Sequence, residues 1–417
     1  MANSSIPKFN EKTRDEKLKI LESLCGLSKE DLEILKNDGG ISFNQANNMI
    51  ENAIGTLSFP LGIATNFTIN GKDYLIPMVI EEPSVVAASS KAAKIARKHG
   101  GFVMTADESY SIGQIQVVDV DVKSAIQKIM KSANEIIQLA NSKSKTLSQM
   151  KKGAKEVSCK KVEAKYGKMI IVELLIDVGD AMGANVTNTM CESVAPLIEQ
   201  ITGGRAILRI LSNYSTKRLV RGKAIFDKDE VGGEKIIDNI LWAYEFAAND
   251  PYRAVTHNKG IMNGIIAVAN STGQDTRAIE AAAHAYASRQ GRYTSITTWK
   301  KDRNGNLVGE IELPMSVGIV GGIINIHPMI KVCTKILGVK SAKELACIMG
   351  AVGLAQNFSA IRALASEGIQ KGHMKLHARN IVASAGIPTE KADEVISRMV
   401  KEGNISVTRA KEIFQEL

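Results

Sequence analysis

The 417-residue sequence predicts an α+β fold in which a compact unit is inserted into a larger, more helical one. Strand-like apolar segments at 115–120, 169–177 and 206–211 and a helical pattern at 124–140 predict an α+β unit of about 100 residues. Helical patterns prevail on both sides of it, and the sequence contains no internal repeat or low-complexity tract. A chain of this length suits two or more domains.

The sequence before the inserted unit predicts helices, a hairpin and one more helix. The first 40 residues have a helical pattern. Leu57 to Val79 predicts two strands around Asn70-Gly71, a dipeptide typical of tight hairpin turns. Pro83 precedes a helical pattern from Val85 to Arg97, which Gly100-Gly101 ends.

The sequence after the inserted unit is mostly helical. Arg218 to Phe226 predicts one more strand. Helical patterns follow at 236–247, 276–289 and 342–367. The tail from Ala378 predicts two helices, at 390–401 and 407–417, joined by Gly403-Asn404.

The formal charge of +9 suits an ordinary basic surface, a nucleic-acid partner or polyphosphorylated small molecules. The basic residues are uneven: Lys143 to Lys168 contains nine Lys and two Glu. Only Tyr166 in that stretch could stack on a base, so binding of single-stranded nucleic acid fits poorly.

Metal, disulfide and membrane patterns are missing from the sequence. The five Cys are scattered without a Cys-x-x-Cys, and no His-Glu-x-x-His occurs, so we expect no metal and a reducing, cytoplasmic setting. Residues 1–19 are too polar for a signal peptide. The uncharged run from Leu313 to Ile330 contains Pro314 and three Gly, and predicts buried, close-packed backbone rather than a membrane span.

The hexapeptide Asp180 to Asn185 (DAMGAN) lies where an apolar strand pattern, Met169 to Ile176, changes to a helical one. The helical pattern runs from Val186 to Ile201 and ends at Gly203-Gly204. Small residues before a helix N-terminus let a phosphate approach backbone N–H groups. The alternative is a tight turn without a ligand. No two glycines are spaced Gly-x-Gly and no Walker A sequence occurs, so a dinucleotide would need another scaffold than the Rossmann fold.

This hexapeptide resembles the dinucleotide-binding signature of the 3-hydroxy-3-methylglutaryl-coenzyme A (HMG-CoA) reductases. Five further segments resemble that family in the same order, and the short, soluble class II members are the closest match. The segments are Glu51 to Gly55, Glu81 to Ser84, Thr256 to Gly260, Gly273 to Asp275 and Gly372 to Met374.

The resemblance implies a division of the chain. Residues 1–107 and 215–374 correspond to a large substrate domain, 108–214 to a ferredoxin-like NAD(P)-binding domain, and 375–417 to a C-terminal helical flap. It also implies a homodimer, or a larger dimer-based assembly, whose active sites form across the interface near Glu51 to Gly55. We expect the chain to lack the membrane anchor of the long eukaryotic members.

The reaction that the resemblance implies is the reduction of HMG-CoA to mevalonate and coenzyme A with two hydrides. Oxyanion character on the carbonyl must be stabilised, that oxygen must receive a proton, and the thiolate must be kept from adding back. The resemblance assigns these tasks to Lys259, Glu82 and His373, with Asp275 completing a Lys–Glu–Asp network.

Each of these residues also has a purely structural alternative. Lys259 could be a solvated lysine in a Gly-rich loop, and Glu82 with Glu81 could sit at the positive end of a helix. Asp275 precedes a helical pattern and suits an N-cap. His373 could be a surface histidine, although an imidazole can supply a proton at neutral pH.

The resemblance also implies residues that bind the substrate and the cofactor. For the substrate they are Ser84, Arg253, Thr256 and Asn263, with ordinary loop polarity as the alternative. For the dinucleotide they are Asp180, Met182, Gly183, Ala184, Asn185, Asn188 and Asn213.

The segment around Ser144 bears on which dinucleotide is used. Members that use NADH carry an Asp there, which accepts hydrogen bonds from the ribose 2′-hydroxyl and repels a 2′-phosphate. Here Ser144 lies between Lys143 and Lys145. We therefore expect a preference for NADPH, with NADH possible, and a role in making mevalonate for isoprenoids.

Three alternatives remain at this point. The same chemistry could run oxidatively with NAD and coenzyme A to degrade mevalonate. The chain could be a coenzyme A-binding protein without catalysis. A basic nucleic-acid-binding protein would leave the six ordered segments unexplained, so we expect neither a nucleic-acid nor a membrane partner.

Overall fold

The computed structural model describes residues 3–38, 40–366 and 378–417. His373 and the beginning of the expected flap lie outside these residues. The helices of the described residues are α1 Arg14–Cys25, α2 Lys29–Lys36, α3 Phe43–Met49, α4 Val85–Arg97, α5 Val122–Lys131, α6 Ala133–Asn141, α7 Lys145–Gln149, α8 Ala184–Thr202, α9 Lys228–Val231, α10 Glu234–Asn249, α11 Pro251–Ser271, α12 Thr276–Ala287, α13 Pro328–Leu337, α14 Ala342–Ala365, α15 378–384, α16 Thr389–Glu402 and α17 Val407–Gln415. The strands are β1 Leu61–Ile69, β2 Lys72–Val79, β3 Phe102–Ala106, β4 Tyr110–Val118, β5 Gly153–Ala164, β6 Gly167–Asp177, β7 Arg205–Ser212, β8 Leu219–Phe226, β9 Thr297–Lys301 and β10 Leu307–Pro314.

The first sheet has six strands in the order β2-β1-β3-β8-β10-β9, antiparallel except for the β1–β3 pair. The predicted hairpin joins β1 and β2, with positive φ at both Asn70 and Gly71, as a tight two-residue turn requires. Helix α14 packs across this sheet, and Phe358 stacks on Phe226 with ring centroids 3.9 Å apart. Of the described residues, only α14 is long and apolar enough to span a membrane, and 83% of its most apolar window is buried, as expected of a core helix.

The second sheet has four antiparallel strands in the order β5-β6-β4-β7, and α5, α6 and α8 pack on it to form a separate apolar core. All of these elements lie between Tyr110 and Ser212. The mixed α+β fold expected from the sequence is confirmed. Strand β5 was not expected, because it carries three lysines and lies at an edge of the sheet, where polar residues are tolerated.

Arg218 joins the two sheets at the start of β8. Its guanidinium is buried and donates to the carbonyls of Ala181, Met182 and Val317. Burial lowers the pKa of Arg218 to about 10, so the group stays charged at neutral pH. The turn at 180–185 is therefore held against the first sheet by one buried cation.

The uncharged run from Leu313 to Ile330 is buried only in its first part. Leu313 to Gly318 is buried, as expected, but the prediction is wrong for 320–326, where Val320 and Ile326 are exposed. The C-terminal helices α15–α17 pack around a small apolar core of their own, which includes Val395 and Ile413.

Candidate active site

Helix α11 carries four of the residues expected to bind substrate or act in catalysis. Asp250 caps the helix by accepting from the N–H of Arg253 at 2.8 Å, and Pro251 is its first residue. Arg253, Thr256, Lys259 and Asn263 follow at spacings of three and four, which places them along one face. The Gly-rich loop considered as the alternative is therefore wrong, because this segment is a continuous helix of 21 residues.

The side chains of Lys259, Asn263 and Glu82 converge on one carboxylate oxygen. Lys259 Nζ lies 2.7 Å and Asn263 Nδ2 3.0 Å from Oε2 of Glu82. Glu82 lies in the middle of the loop that leads from β2 into α4, and the neighbouring Glu81 is exposed. Geometry thus selects Glu82 rather than Glu81 as the partner of the lysine. The Lys259 and Glu82 side chains are 60% and 41% exposed, so water can still reach this ion pair in the single chain.

A cavity of about 300 Å³, here called the Lys259 cavity, lies over this cluster between α4, α11 and α14. Ser84 lines it with φ 74°, a left-handed conformation that costs a non-glycine residue energy and that clusters at functional sites. Arg253 and Thr256 line it too. Burial lowers the pKa of Arg253, and no carboxylate of the described residues lies within 4 Å of its guanidinium. The cavity thus offers a fork that can bind a carboxylate close to an ammonium group.

A buried hydrogen-bond network that the sequence did not reveal supports the wall of this cavity. The indole N–H of Trp299 donates to Oδ1 of Asn357 at 2.9 Å, and Nδ2 of Asn357 lies 3.0 Å from Nε2 of His257. Because an indole N–H can only donate, the amide of Asn357 is oriented with its NH₂ group toward His257. Nε2 of His257 must then accept, and the ring proton belongs on Nδ1, which has no partner among the described residues.

His257 is therefore a neutral, structural histidine next to the catalytic candidates. Burial and, to a lesser extent, the nearby Arg253 charge lower the pKa of His257 to about 3. It cannot supply a proton at neutral pH. Its role is to hold α11 against β9 and α14 without adding a second positive charge beneath Lys259.

The turn at 180–185 leads into the N-terminus of α8. Gly183 is the N-cap with φ 102°, and a Cβ there would lie 2.6 Å from Val178 Cγ1, so only glycine fits. Ala184 and Asn185 begin the helix, and Asn185 is exposed. Met182 lies close to Gly318, where an added Cβ would come within 2.4 Å of the Met182 nitrogen. The open helix N-terminus suits an anion.

Two of the polar residues expected to contact the dinucleotide, Asp180 and Asn188, bond to the backbone of the chain instead. Asp180 accepts from the N–H of Ala342 at 2.8 Å and so caps α14. Asn188 accepts from the N–H of Leu211 at 2.9 Å. Asn213 is exposed just beyond β7. The side chains of Asp180 and Asn188 thus hold structure around the turn.

The segment around Ser144 is anchored to the same turn. Ser144 is the N-cap of α7 and accepts from the N–H of Leu147, while Lys143 and Lys145 are exposed. At the end of this segment Lys152 Nζ lies 3.1 Å from Oδ1 of Asp177, which also accepts from the N–H of Gly179. Lys152 is therefore held at the strand end that precedes the turn, whereas Lys143 and Lys145 are exposed at the start of the segment.

Asp275 lies on the turn side of the chain, away from Lys259. It caps α12, accepting from the N–H of Ala278 at 3.1 Å, and lies 3.4 Å from Arg277. The preceding Gln274 exchanges two hydrogen bonds of 2.9 Å with Gly318, which touches the 180–185 turn. Lys259 precedes the end of α11 by 12 residues, about 18 Å along the helix axis. Within one chain Asp275 makes no hydrogen bond or ion pair with Lys259 or Glu82, so the expected Lys–Glu–Asp network stays a prediction.

The described residues contain no cluster of three His, Cys, Asp or Glu side chains able to hold a metal ion. His373 lies outside them, so its position relative to Lys259 stays a prediction.

Comparisons with known proteins agree on one family. A family profile described as hydroxymethylglutaryl-coenzyme A reductase matches residues 13–378. The chain is 51% identical over 416 residues to the 3-hydroxy-3-methylglutaryl-coenzyme A reductase of Archaeoglobus fulgidus, covering 100% of this chain and 95% of that protein. It is 36% identical over 392 residues to a probable reductase of the same name from Borreliella burgdorferi, covering 90% and 86% of the two chains.

Solved structures give the same result. The 3-hydroxy-3-methylglutaryl-coenzyme A reductase from Streptococcus pneumoniae superposes with a TM-score of 0.84 at 37% identity, covering 98% of this chain and 99% of that one. A class II reductase structure from the same species, bound to NADPH in open conformations, has a TM-score of 0.82 at 38% identity and covers 97% and 99%. Together with the site geometry, these matches show that the chain belongs to the hydroxymethylglutaryl-coenzyme A reductase family, a family of oxidoreductases.

Proposed function

We propose that this protein reduces HMG-CoA to mevalonate and free coenzyme A with two molecules of NADPH, and that it does so for isoprenoid biosynthesis. The observation that carries the proposal is the convergence of Lys259 and Asn263 on Glu82 beside Arg253. This arrangement places an ammonium group, a proton carrier and a carboxylate-binding fork around one cavity. Those are the groups that reduction of an acyl thioester carrying a free carboxylate requires.

In this mechanism Arg253 and Ser84 hold the substrate carboxylate, and the ammonium of Lys259 stabilises negative charge on the carbonyl oxygen. Glu82 exchanges the proton with that oxygen, and Asn263 keeps its carboxyl group oriented. Bound NADPH would supply the hydride for each of the two reductions. His373 protonates the departing thiolate, and residues 375–417 act as the flap that excludes water from the intermediate.

The residues available for NADPH fit that group. Gly183 allows the backbone conformation of the N-cap, since a Cβ there would collide with Val178, and the N-terminal N–H groups of α8 can bind an anion. Lys143 and Lys145 flank Ser144 and favour a 2′-phosphate over a 2′-hydroxyl. A structure of a class II relative bound to NADPH supports this choice.

We propose a homodimer in which each active site uses two chains. One face of the chain holds Lys259 and Glu82, whereas Asp275 lies beside the 180–185 turn. A two-fold axis can bring Asp275 of one chain close to the Lys259–Glu82 pair of the other chain. Exposed apolar side chains support such an interface: Ile54 is 99%, Tyr252 89% and Leu57 83% exposed. Residues 108–214 then form the cofactor unit and the rest of the chain the substrate unit, in the cytoplasm.

The alternative is the same chemistry in the oxidative direction with NAD. It shares the catalytic residues, and only the segment around Ser144 argues against it.

The test is the oxidation of NADPH by the purified protein, followed by its absorbance, with and without HMG-CoA. We expect oxidation that depends on HMG-CoA and yields mevalonate. If HMG-CoA causes oxidation of neither NADPH nor NADH, the proposal is wrong. A clear preference for NADH would favour the degradative direction.

A further inference from the structure

A second cavity, here called the lysine cavity, lies apart from the residues discussed above. Its volume is about 770 Å³, larger than that of the Lys259 cavity. It opens between the N-terminal helices, the start of β2, α13 and the loop before α14. None of the catalytic candidates lines it.

Four lysines line this cavity, and two of them have no acidic partner. Lys72 Nζ is paired with Glu344 at 2.6 Å, and Lys335 is paired with Asp31. Lys331 and Lys340 have no carboxylate within 4 Å in the part of the chain that the structure describes. Asp73 also lines the cavity, but Arg97 neutralises it at 2.7 Å. Two positive charges are therefore left over for a ligand.

The remaining wall of the lysine cavity is largely apolar. Its apolar lining residues include Leu24, Leu75, Ile319, Ile324, Ile336, Leu337 and Val339. Ile336, Leu337 and Val339 are buried and form a fixed floor. A ligand that matches this cavity has an anionic head for the lysines and a hydrocarbon part for the floor.

The lysine cavity also borders the 180–185 turn. The N–H of Ile319 donates to the carbonyl of Asp180 at 2.8 Å. The carboxylate of Asp180 accepts from Ala342, two residues beyond Lys340. The lining residue Ile319 thus bonds directly to Asp180, the first residue of the turn, and Lys340 lies two residues before Ala342, which also bonds to Asp180.

We propose that the lysine cavity is a second anion-binding site, for a small phosphate or diphosphate ester with an apolar body. It is separate from the sites for HMG-CoA and NADPH. Lys331 and Lys340 bind the phosphoryl group as point charges, and the floor accepts the hydrocarbon chain. The proposal stands without the proposed function, because binding to this cavity needs no turnover.

The experiment is calorimetric titration of the full chain with pentyl diphosphate and with inorganic diphosphate. We expect pentyl diphosphate to bind at least about tenfold more tightly, since several CH₂ groups leave water. The Lys331→Gln/Lys340→Gln double variant should lose at least about tenfold in affinity. The control is Lys91→Gln/Lys94→Gln, which removes the same charge from exposed lysines of α4 outside the cavity.

Three results would overturn the proposal. The first is an absence of binding, and the second is equal loss of affinity in the two double variants. The third is displacement of pentyl diphosphate by saturating NADPH or HMG-CoA, which would place the ligand in the sites for the reaction. Equal affinities for the two diphosphates would refute the apolar part of the ligand. Unchanged turnover of HMG-CoA in the Lys331/Lys340 variant shows that its fold is intact.

Discussion

Lys259 Nζ lies 2.7 Å from Oε2 of Glu82 although the two residues are 177 positions apart in the chain. One belongs to a helix and the other to a loop between a strand and a different helix. Asn263, one turn along from Lys259, donates to the same oxygen and so fixes the carboxyl group from a second direction. The pair can stabilise and protonate one substrate oxygen because both groups reach the same point.

Replacing Glu82 with Gln tests the proton transfer. The amide keeps the shape and can still contact Lys259, but it cannot exchange a proton, so we expect kcat to fall at least about 100-fold. KM for HMG-CoA should change little. Glu81→Gln is the matched control, because Glu81 is exposed and the contact with Lys259 is made by Glu82. Similar losses in the two variants would contradict the assignment.

Mixing two inactive variants tests whether the active site is shared between chains. Lys259→Ala and Asp275→Ala should each be inactive alone. If Asp275 acts on the partner's Lys259, half of the randomly mixed dimers are hybrids with one intact site, and about a quarter of the activity returns. Subunit exchange must be verified by mass spectrometry of differently tagged chains. No recovery in verified hybrids would show that the two residues act within one chain or not at all.

Ser144→Asp should move cofactor preference toward NADH. The new carboxylate would repel a 2′-phosphate and accept from a 2′-hydroxyl, so we expect the ratio of kcat/KM for NADPH to that for NADH to fall at least about tenfold. Ser142→Asp, an exposed position in the same segment, is the control. An unchanged ratio would place the 2′-phosphate elsewhere.

The buried His257 predicts a particular dependence of stability on pH. The pKa of His257 is about 3 in the folded chain and 6.5 in the unfolded chain. Between these two pH values the unfolded chain therefore binds a proton that the folded chain does not bind. The free energy of unfolding therefore falls as pH drops from 6.5 toward 3, by at most about 1.4 kcal/mol per pH unit from this residue. His257→Gln cannot titrate, and its unfolding free energy should have a shallower slope in urea titrations between pH 6.5 and 4.5. Parallel slopes would contradict the neutral, buried histidine.

Trp299→Phe tests the network that orients this histidine. The substitution keeps an aromatic ring but removes the N–H that fixes the amide of Asn357. We expect a loss of about 1–2 kcal/mol in the free energy of unfolding, because the buried Oδ1 of Asn357 loses one of its two donors and keeps only the hydroxyl of Thr297. KM for HMG-CoA should rise as well, since α11 carries Arg253. A loss of stability with unchanged KM would limit the network to a structural role.

Much of this fold could be predicted from the sequence, because the local sequence signals agree with the tertiary structure. Helix α4 has the predicted bounds, Val85 to Arg97, and the hairpin turn at Asn70-Gly71 forms as expected. Helix α11 was harder, because Gly260 and Gly264 suggest a loop. A Cβ at Gly264 would lie about 3.1 Å from Val352, so the glycine permits close packing of α11 on α14. That reason is visible only when both helices are in place.

The candidate active site could be predicted only in part from the sequence. The resemblance identified Glu82 and Lys259, which the structure brings together. The network of Trp299, Asn357 and His257 was missed because it joins three distant segments, and no spacing in the sequence marks it. Strand β5 was missed because its lysines hide the alternation that a buried strand would have.

The length of α11 has a consequence for how the enzyme responds to dilution. If Lys259 and Asp275 can meet only across two chains, an isolated chain has no complete set of catalytic groups. Specific activity should then fall as protein concentration drops below the dissociation constant of the dimer, and adding an inactive variant that still dimerises should restore it in part. The concentration of the protein in the cell would then determine what fraction of it is catalytically active.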